Sequence, residues 1–360
     1  MGSTHGIGVV GLGVIFAQYR ETLVGQSDVA LVAVADLDEA RAHEVAATIP
    51  GCRALSVAEL MADPAVDTVL NLTVPAAHAE VALAALATGK NVYGEKPLAA
   101  TLTQAQQIMA ARGQAWVGGA PDTVLGTGIQ TAREVVDSGR IGRPLAATAT
   151  WVAPGHEAWH PNPDFYYREG GGPLMDMGPY YLTSLVHLLG PVESVSGASS
   201  RSRDTRIIAS GPRAGQEIPV EVDTYVTGTL RHEGGAISTV VFSFDSVATH
   251  AAPIEVHGQT GSIAVPDPNM FEGDVQVRML GAAEWQTVAP SAGYGGAGRG
   301  IGLIDHVRTG ADRASGALAL HVLEIMTGLL RSARENCSFP LTTTVQRPAL
   351  VPLTPASDWR

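Results

Sequence analysis

Cysteine is nearly absent from this chain, whose 360 residues contain only Cys52 and Cys337. Neither belongs to a Cys-x-x-Cys pair or to a Cys/His cluster with the spacing of metal ligands. The sequence therefore predicts neither a disulfide framework nor a structural zinc site, and we expect no bound metal.

Runs of positive charge and long apolar runs are absent as well. The formal net charge is −12 and the pI about 5.3. A protein of this charge is not attracted electrostatically to nucleic acid or to an anionic membrane. No apolar run reaches the roughly 18 residues of a membrane span. Residues 7–17 lack the basic leader of a secretion signal. We therefore expect a cytoplasmic protein without nucleic-acid or membrane partners.

The first third of the chain alternates short apolar runs with alanine-rich helical patterns. The predicted strands are residues 7–10, 30–35, 68–73, 91–93 and 115–117. Strand–helix alternation needs right-handed crossovers and hence a parallel sheet covered on both faces. We predict a doubly wound Rossmann domain over residues 1–120.

The pattern changes after residue 120. Helices are predicted over residues 125–138, 175–189 and 314–335, and strands over 144–152, 192–198, 217–230, 236–245, 252–257, 262–265 and 274–280. Two segments, 199–215 and 291–302, are predicted as loops. Successive strands joined by Gly-rich turns predict an α+β domain on a large, mostly antiparallel sheet. We assign substrate binding and oligomerisation to residues 121–360, because a broad sheet with helices mainly on one side leaves an apolar face. The expected assembly is a homodimer or homotetramer.

A glycine turn follows the first predicted strand and opens a helix. Gly11 allows a tight turn, and Gly13 lets the backbone of Val14 and Ile15 approach a pyrophosphate at the helix N-terminus. Phe16 stands where the fingerprint has its third glycine. We predict that this turn binds a dinucleotide.

Asp36 closes the second predicted strand, 23 residues after Gly13. A carboxylate at this place accepts both ribose hydroxyls and repels a 2′-phosphate, and the nearest following arginine is Arg41. NAD is therefore favoured over NADP. The alternative is a plain strand–turn–helix connection in which Asp36 caps the next helix.

Residues 90–100, Lys-Asn-Val-Tyr-Gly-Glu-Lys-Pro-Leu-Ala-Ala, resemble the Glu-Lys-Pro signature of the glucose–fructose oxidoreductase/inositol dehydrogenase/MocA family. The resemblance covers nearly the whole chain through the glycine turn, Thr73-Val74-Pro75 with His78, and the segments 170–178, 305 and 313–321. Members of this family oxidise or reduce sugars, cyclitols and related alcohols with NAD(P). The resemblance implies that Thr73, Pro75, His78 and Glu95 lie at the cofactor.

Lysine is rare: the chain has Lys90 and Lys96 against 21 arginines. Burial can lower the pKa of a lysine ammonium, whereas an arginine guanidinium stays protonated. At the carboxyl end of a strand, Lys96 is expected over the crevice that takes the nicotinamide ring. We predict a catalytic and substrate-binding role for Lys96; the alternative is a surface lysine before a proline.

The helix predicted over residues 175–189 carries one polar stripe, Asp176, Tyr180, Thr183 and His187, at helical spacing. Pro179 is expected in its first turn. Tyr180 replaces the histidine, and Thr183 the second aspartate, of the family's commonest pattern. The departure resembles the branch containing glucose–fructose oxidoreductase and dimeric dihydrodiol dehydrogenase. We predict that Tyr180, activated by Lys96, relays the proton and that Asp176 holds a substrate hydroxyl.

Aromatic residues concentrate between residues 151 and 168, where five of eighteen are Trp, Tyr or Phe. Rings with apolar faces and polar edges suit a pyranose. Predicted substrate-binding residues are therefore Trp151, His156, Trp159 and His160, with Asp122 as a further candidate. The alternative is an interdomain or subunit contact.

The favoured function is hydride exchange between NAD and a secondary alcohol or ketone of a sugar, glycoside or cyclitol. One rival is a glycoside-cleaving enzyme that uses NAD transiently, without net redox change. The other is a non-catalytic NAD(P)- or sugar-sensing regulator.

Overall fold

The computed structural model describes residues 4–360, and the chain forms two compact units. The first consists of Met1–Gly126 (described from residue 4), Tyr294–Leu320 and Val351–Arg360. The second consists of Thr127–Gly293 and His321–Leu350. The functional division at residue 120 stays a prediction. None of the helices within residues 4–360 is long and apolar enough to cross a membrane.

The first unit is built on a six-stranded sheet of order β3-β2-β1-β4-β5-β6, counted over the described residues. Every pairing in it is parallel. The elements are β1 His5–Val10, α1 Phe16–Leu23, β2 Val29–Ala35, α2 Glu39–Ala47, β3 Arg53–Ala54, α3 Val57–Ala62, β4 Thr68–Asn71, α4 His78–Ala87, β5 Asn91–Gly94, α5 Leu102–Ala111 and β6 Val117–Gly119. This order places a crevice between β1 and β4, where the winding direction reverses. The predicted Rossmann sheet is confirmed.

Local sequence explains where these helices begin. Asp38 caps α2 by accepting the Arg41 N–H, and Ser56 and Glu59 form a reciprocal capping box at α3. Thr101 does the same at α5 with Gln104. The strands between them are buried and rich in valine, as strands covered on both faces must be.

The second unit contains a nine-stranded sheet of order β16-β15-β14-β13-β7-β12-β11-β8-β17, again counted over residues 4–360. The elements that follow β6 along the chain are α6 Thr127–Asp137, β7 Pro144–Val152, α7 Pro173–Leu189, β8 Val192–Ser200, β9 Thr205–Ile207, β10 Glu217–Pro219, β11 Tyr225–His232, β12 Ile237–Ser243, β13 Ile254–Gly258, β14 Gly261–Val265, β15 Val275–Met279, β16 Gln286–Val288, α8 Ile301–Thr309, α9 Gly316–Glu335, β17 Phe339–Pro340 and α10 Ala356–Trp359. Of these, α8 and α10 belong to the first unit. Neighbours pair antiparallel except β7 and β12, which are parallel. The predicted mostly antiparallel sheet is confirmed.

Some of the predicted segments differ from the structure. The strand predicted over 217–230 is two strands, because β10 leaves the large sheet and pairs with β9. The segment 199–215 therefore contains strand β9 and is not simply a loop. The loop predicted over 291–302 ends at Gly300, because α8 begins at Ile301.

Helix α7 starts earlier than predicted. It begins at Pro173 after Gly172, whose φ of 96° favours glycine, so Pro179 lies inside the helix and not in its first turn. An internal proline costs about 3 kcal/mol through a lost hydrogen bond and a clash with the preceding turn. The helix tolerates it because nearly all of its side chains are buried, with packing against β7, β11 and β12.

Candidate functional site

The turn after β1 is tight at Gly11 and exposed at Gly13 and Val14. Gly11 has a φ of 95°, and a Cβ there would lie 2.8 Å from the Leu72 carbonyl, so only glycine fits. Around Gly13, no heavy atom of residues 4–360 outside its chain neighbours lies within 4 Å of an added Cβ. The next side chain, Val14, is 96% exposed. The chain is therefore open to solvent at Gly13 and Val14, whereas Phe16, in place of the third glycine, is buried as the first residue of α1.

Asp36 is tied to that turn. Its Oδ2 accepts the Leu12 N–H at 2.7 Å, and its Oδ1 accepts the Asp38 N–H at 2.9 Å. The cap of α2 is Asp38, so the alternative of Asp36 as a helix cap does not hold. Arg41 Nη1 lies 3.9 Å from Asp36 Oδ1, which puts a cation beside the carboxylate.

The loop after β4 is held by His78. Its buried imidazole places Nε2 3.0 Å from the Thr73 carbonyl oxygen and Nδ1 2.7 Å from the Pro97 carbonyl oxygen. Asn71 donates to the His78 carbonyl and accepts from the Thr73 hydroxyl. Pro75 opens a short 3₁₀ turn between them. His78 thus joins the Thr73 loop to the Lys96-Pro97 segment.

Glu95 holds the backbone of Lys96. Its Oε1 accepts the Tyr19 hydroxyl at 2.9 Å, and its Oε2 accepts the Lys96 backbone N–H at 3.0 Å. Tyr19 comes from α1, and burial together with the charge of Glu95 raises the pKa of its phenol well above the usual range. One carboxylate therefore links the helix after the glycine turn to the Glu-Lys-Pro segment.

Asp122 is fully buried, at 0% exposed. Its Oδ2 accepts the Gly300 and Gly302 N–H groups at 2.8 and 3.0 Å, so it caps the start of α8. Burial raises the pKa of Asp122, although these N–H donors oppose the shift. The structure gives Asp122 a structural task within the first unit, and its predicted contact with substrate stays a prediction.

In the second unit, Asp176 lies in the first turn of α7 and Tyr180 one turn later. The start of a helix favours a carboxylate because its free N–H groups and dipole are positive there. Thr183 and His187 continue the predicted stripe, and Tyr180, Thr183 and His187 are all buried. His187 packs beside Gln130 of α6, with 3.5 Å between His187 Nδ1 and Gln130 Nε2.

His156 meets Asp176 directly. His156 Nε2 lies 2.9 Å from Asp176 Oδ2, and the Trp159 indole N–H donates to His156 Nδ1 at 3.2 Å. His156, Trp159 and Asp176 were predicted from the sequence as separate site residues and not as a connected group. No periodicity links them, because His156 and Asp176 are joined through an irregular loop.

The predicted aromatic cluster exists, and it is exposed on one side. His156 is enclosed by the rings of Trp151, Tyr166 and Phe244 at centroid distances of 5.9, 4.3 and 4.7 Å. Trp159 is 59% exposed, and Phe165 is 56% exposed. The ring of His160 contacts Trp159, Phe165 and Tyr166. The side chains of Trp159 and Phe165 are therefore largely open to solvent.

A buried ionic network supports this loop and was not foreseen. Arg206 of β9 donates to Glu157 Oε1 at 2.7 Å and pairs with Asp245. Glu157 also accepts the hydroxyl of Tyr167, which packs in an apolar cluster with Phe244. Because β9 lies in the segment predicted as a loop, Arg206 was not predicted from the sequence to lie here.

No group of three His, Cys, Asp or Glu side chains suited to a metal ion occurs within residues 4–360. Both ring nitrogens of His156 already have protein partners.

The fold and the turn define a two-unit protein with a dinucleotide-binding Rossmann sheet. Residues 5–115 match the oxidoreductase family with an NAD-binding Rossmann fold, and residues 129–264 match the GFO/IDH/MocA C-terminal domain. The chain belongs to the GFO/IDH/MocA oxidoreductase family.

Individual relatives agree with this assignment. Myo-inositol 2-dehydrogenase of Thermotoga maritima is 30% identical over 71% of this chain and 74% of its own length. The dTDP-3,4-didehydro-2,6-dideoxy-alpha-D-glucose 3-reductase of Saccharopolyspora spinosa is 32% identical over 72% of this chain and 74% of its own. The crystal structure of an NAD binding oxidoreductase from Klebsiella pneumoniae has a TM-score of 0.80 at 24% identity, covering 95% of this chain and 100% of that one. At that identity the likeness concerns the fold.

Proposed function

We propose that this oxidoreductase exchanges hydride between NAD and a secondary alcohol or ketone on a sugar or cyclitol ring. The relatives support this substrate class, because one is named for a cyclitol alcohol and the other for a keto sugar. The observation that carries the proposal is the Asp176 carboxylate at the start of α7, one turn before Tyr180 and hydrogen-bonded by His156.

The first unit would bind the cofactor and the second the substrate. Gly11, Gly13, Val14 and Ile15 fit the pyrophosphate, since an added Cβ at Gly11 would clash and the space beside Gly13 is open. Asp36 would accept the ribose hydroxyls and exclude a 2′-phosphate, which favours NAD over NADP. Bound NAD would supply the hydride acceptor. Thr73, Pro75, His78 and Glu95 shape the loops that, by family resemblance, face the cofactor.

Three side chains would then act on the substrate, each in a different role. Asp176 accepts a hydrogen bond from a substrate hydroxyl and orients the ring. Tyr180 takes the proton of the reacting hydroxyl, or returns it in the reverse direction. The ammonium of Lys96 favours the phenolate and the developing charge on the substrate oxygen. Trp151, Trp159 and His160 would contact the sugar ring faces.

A panel of sugars and cyclitols with NAD, followed by NADH absorbance, tests the proposal. We expect NADH formation with at least one polyol and a loss of about 100-fold in turnover for Asp176→Asn, because Asp176 orients the substrate. Asp204→Asn, which removes an exposed carboxylate of the same unit, is the matched control. Product formation without released NADH would favour the redox-neutral glycoside-cleaving rival, and cofactor binding without any turnover would favour the regulator. The cytoplasmic location and the homo-oligomer stay predictions.

A further inference from the structure

A hydrogen-bonded chain of three side chains ends at Asp176. An indole N–H is a donor only, so Nδ1 of His156 must accept the hydrogen bond from Trp159 and carries no proton. The imidazole proton therefore resides on Nε2, which donates to Asp176 Oδ2 at 2.9 Å. Trp159 thus selects the tautomer of His156 that can donate to the carboxylate.

We propose that His156 is a positioning residue for Asp176, and that the Trp159 indole locks it in the neutral Nε2–H tautomer. The donated hydrogen bond fixes the rotation of the carboxylate, so that its remaining lone pairs point where a substrate hydroxyl is accepted. This inference rests on the proposed function for its effect on catalysis. The tautomer itself is independent of any activity.

The surroundings of His156 keep its ring from turning. It is 7% exposed and enclosed by the rings of Trp151, Tyr166 and Phe244. Its backbone N–H donates to the Tyr167 hydroxyl at 3.1 Å. Since Tyr167 is held in turn by the Glu157–Arg206 pair, the whole loop presents His156 in one orientation.

Kinetics test the positioning role. Misplacing an orienting group by about 1 Å can cost about 100-fold in rate. We expect His156→Leu to lower kcat/KM for the polyol by about 100-fold, mostly through kcat, with the Kd for NAD unchanged within about twofold. His156→Gln, whose amide N–H reaches the place of Nε2–H, should recover activity to within about tenfold of the unchanged protein.

Two further variants separate the roles of the three residues. Trp159→Phe keeps an aromatic ring and removes the N–H, so as a single change it should lower kcat by about fivefold. In the His156→Leu background it should lower kcat by less than about twofold, because the imidazole on which it acts is gone. The control is His257→Gln, which replaces an imidazole that hydrogen-bonds to the Ser262 hydroxyl and should leave the kinetics unchanged.

Nitrogen-15 NMR of the imidazole tests the lock without any substrate. We expect a protonated Nε2 and an unprotonated Nδ1 for His156, assigned by loss of the signals in His156→Gln, and a change in this pattern in Trp159→Phe. A protonated Nδ1 in the unchanged protein would overturn the proposal. Wild-type kinetics in His156→Leu would overturn the positioning role. Failure of every polyol to yield NADH would overturn the proposed function instead, and the NMR result would still decide the tautomer.

Discussion

The Asp36 carboxylate accepts the backbone N–H of Leu12 at 2.7 Å, which joins the end of β2 to the glycine turn after β1. The residue that would recognise the ribose is therefore fixed by the same turn that would take the pyrophosphate. Arg41 stands 3.9 Å from the same carboxylate and would be the nearest cation to a 2′-phosphate.

The first prediction concerns the cofactor. NAD should bind at least about tenfold tighter than NADP, a difference of about 1.4 kcal/mol, because Asp36 repels a further phosphate. Asp36→Ser should weaken NAD binding and strengthen NADP binding, since Arg41 remains to pair with the phosphate. Fluorescence titration with the reduced cofactors measures both constants, with Glu39→Gln on α2 as the control. Equal or inverted constants for the unchanged protein would refute the preference.

The second prediction is that Lys96 and Tyr180 act as one functional unit. Lys96→Ala and Tyr180→Phe should each lower turnover by about 10²–10⁴-fold, and the double variant should be little worse than the poorer single one. Lys96→Arg should not restore activity, because a guanidinium has a different size and donor geometry. Steady-state kinetics and NAD titration measure these effects, and NAD affinity should survive Tyr180→Phe.

The neighbouring phenol provides the matched control for that pair. Tyr181→Phe removes a buried hydroxyl that lies 3.5 Å from Asp267 and should leave turnover unchanged. Near-wild-type turnover in Tyr180→Phe would return Tyr180 to a packing role. The search for a proton relay would then move to His156, His160 or Asp122.

The third prediction concerns assembly. Across the large sheet, register aligns the exposed residues Ser196, Thr229, Thr239 and Thr148 in one row. This row carries hydroxyl groups and is therefore less apolar than the sheet face that was predicted from the sequence. We still expect a homodimer or homotetramer, with light scattering giving a multiple of 37.3 kDa at micromolar concentration. Thr239→Arg should reduce that mass if the row is the interface; a monomer mass for the unchanged protein would contradict the expectation.

The fourth prediction concerns pH and stability. Burial lowers the pKa of His232 from 6.5 to about 4, although its contact with the Gly190 carbonyl opposes the shift. Between these values the unfolded chain binds a proton that the folded chain does not. Stability should therefore be complete above about pH 6.5 and fall on acidification towards pH 4, by up to about 3 kcal/mol from His232. His321, whose pKa burial also lowers, adds to the same slope.

Urea unfolding at about pH 7 and about pH 5 measures this dependence. The His232→Gln variant should lose part of this pH dependence of stability. The His43→Gln variant, changed on the exposed face of α2, should retain all of it. An unchanged pH dependence in His232→Gln would assign the acid sensitivity to other groups.

The sequence by itself determined those features that depend on neighbours along the chain. Alternation of apolar runs with helical patterns predicted the parallel sheet, and Gly11 could be singled out because a tight turn needs its positive φ. Asp176 and Tyr180 were placed one turn apart because a helix repeats every 3.6 residues. Each of these signals is local, so reading the residues in order is sufficient to find it.

Only the tertiary structure brought distant residues together. Tyr294–Leu320 and Val351–Arg360 belong to the first unit, although they lie far along the chain from its other residues. Asp122 there caps α8 by accepting the N–H of Gly300, which is 178 residues away in sequence. The tertiary structure paired His156 with Asp176 across an irregular loop, and it placed Arg206 beside Glu157 from a segment predicted as a loop. These contacts depend on which surfaces bury one another once the chain has folded. No local period or turn preference encodes that choice, because it is made by long-range packing and by the need of buried charges for partners.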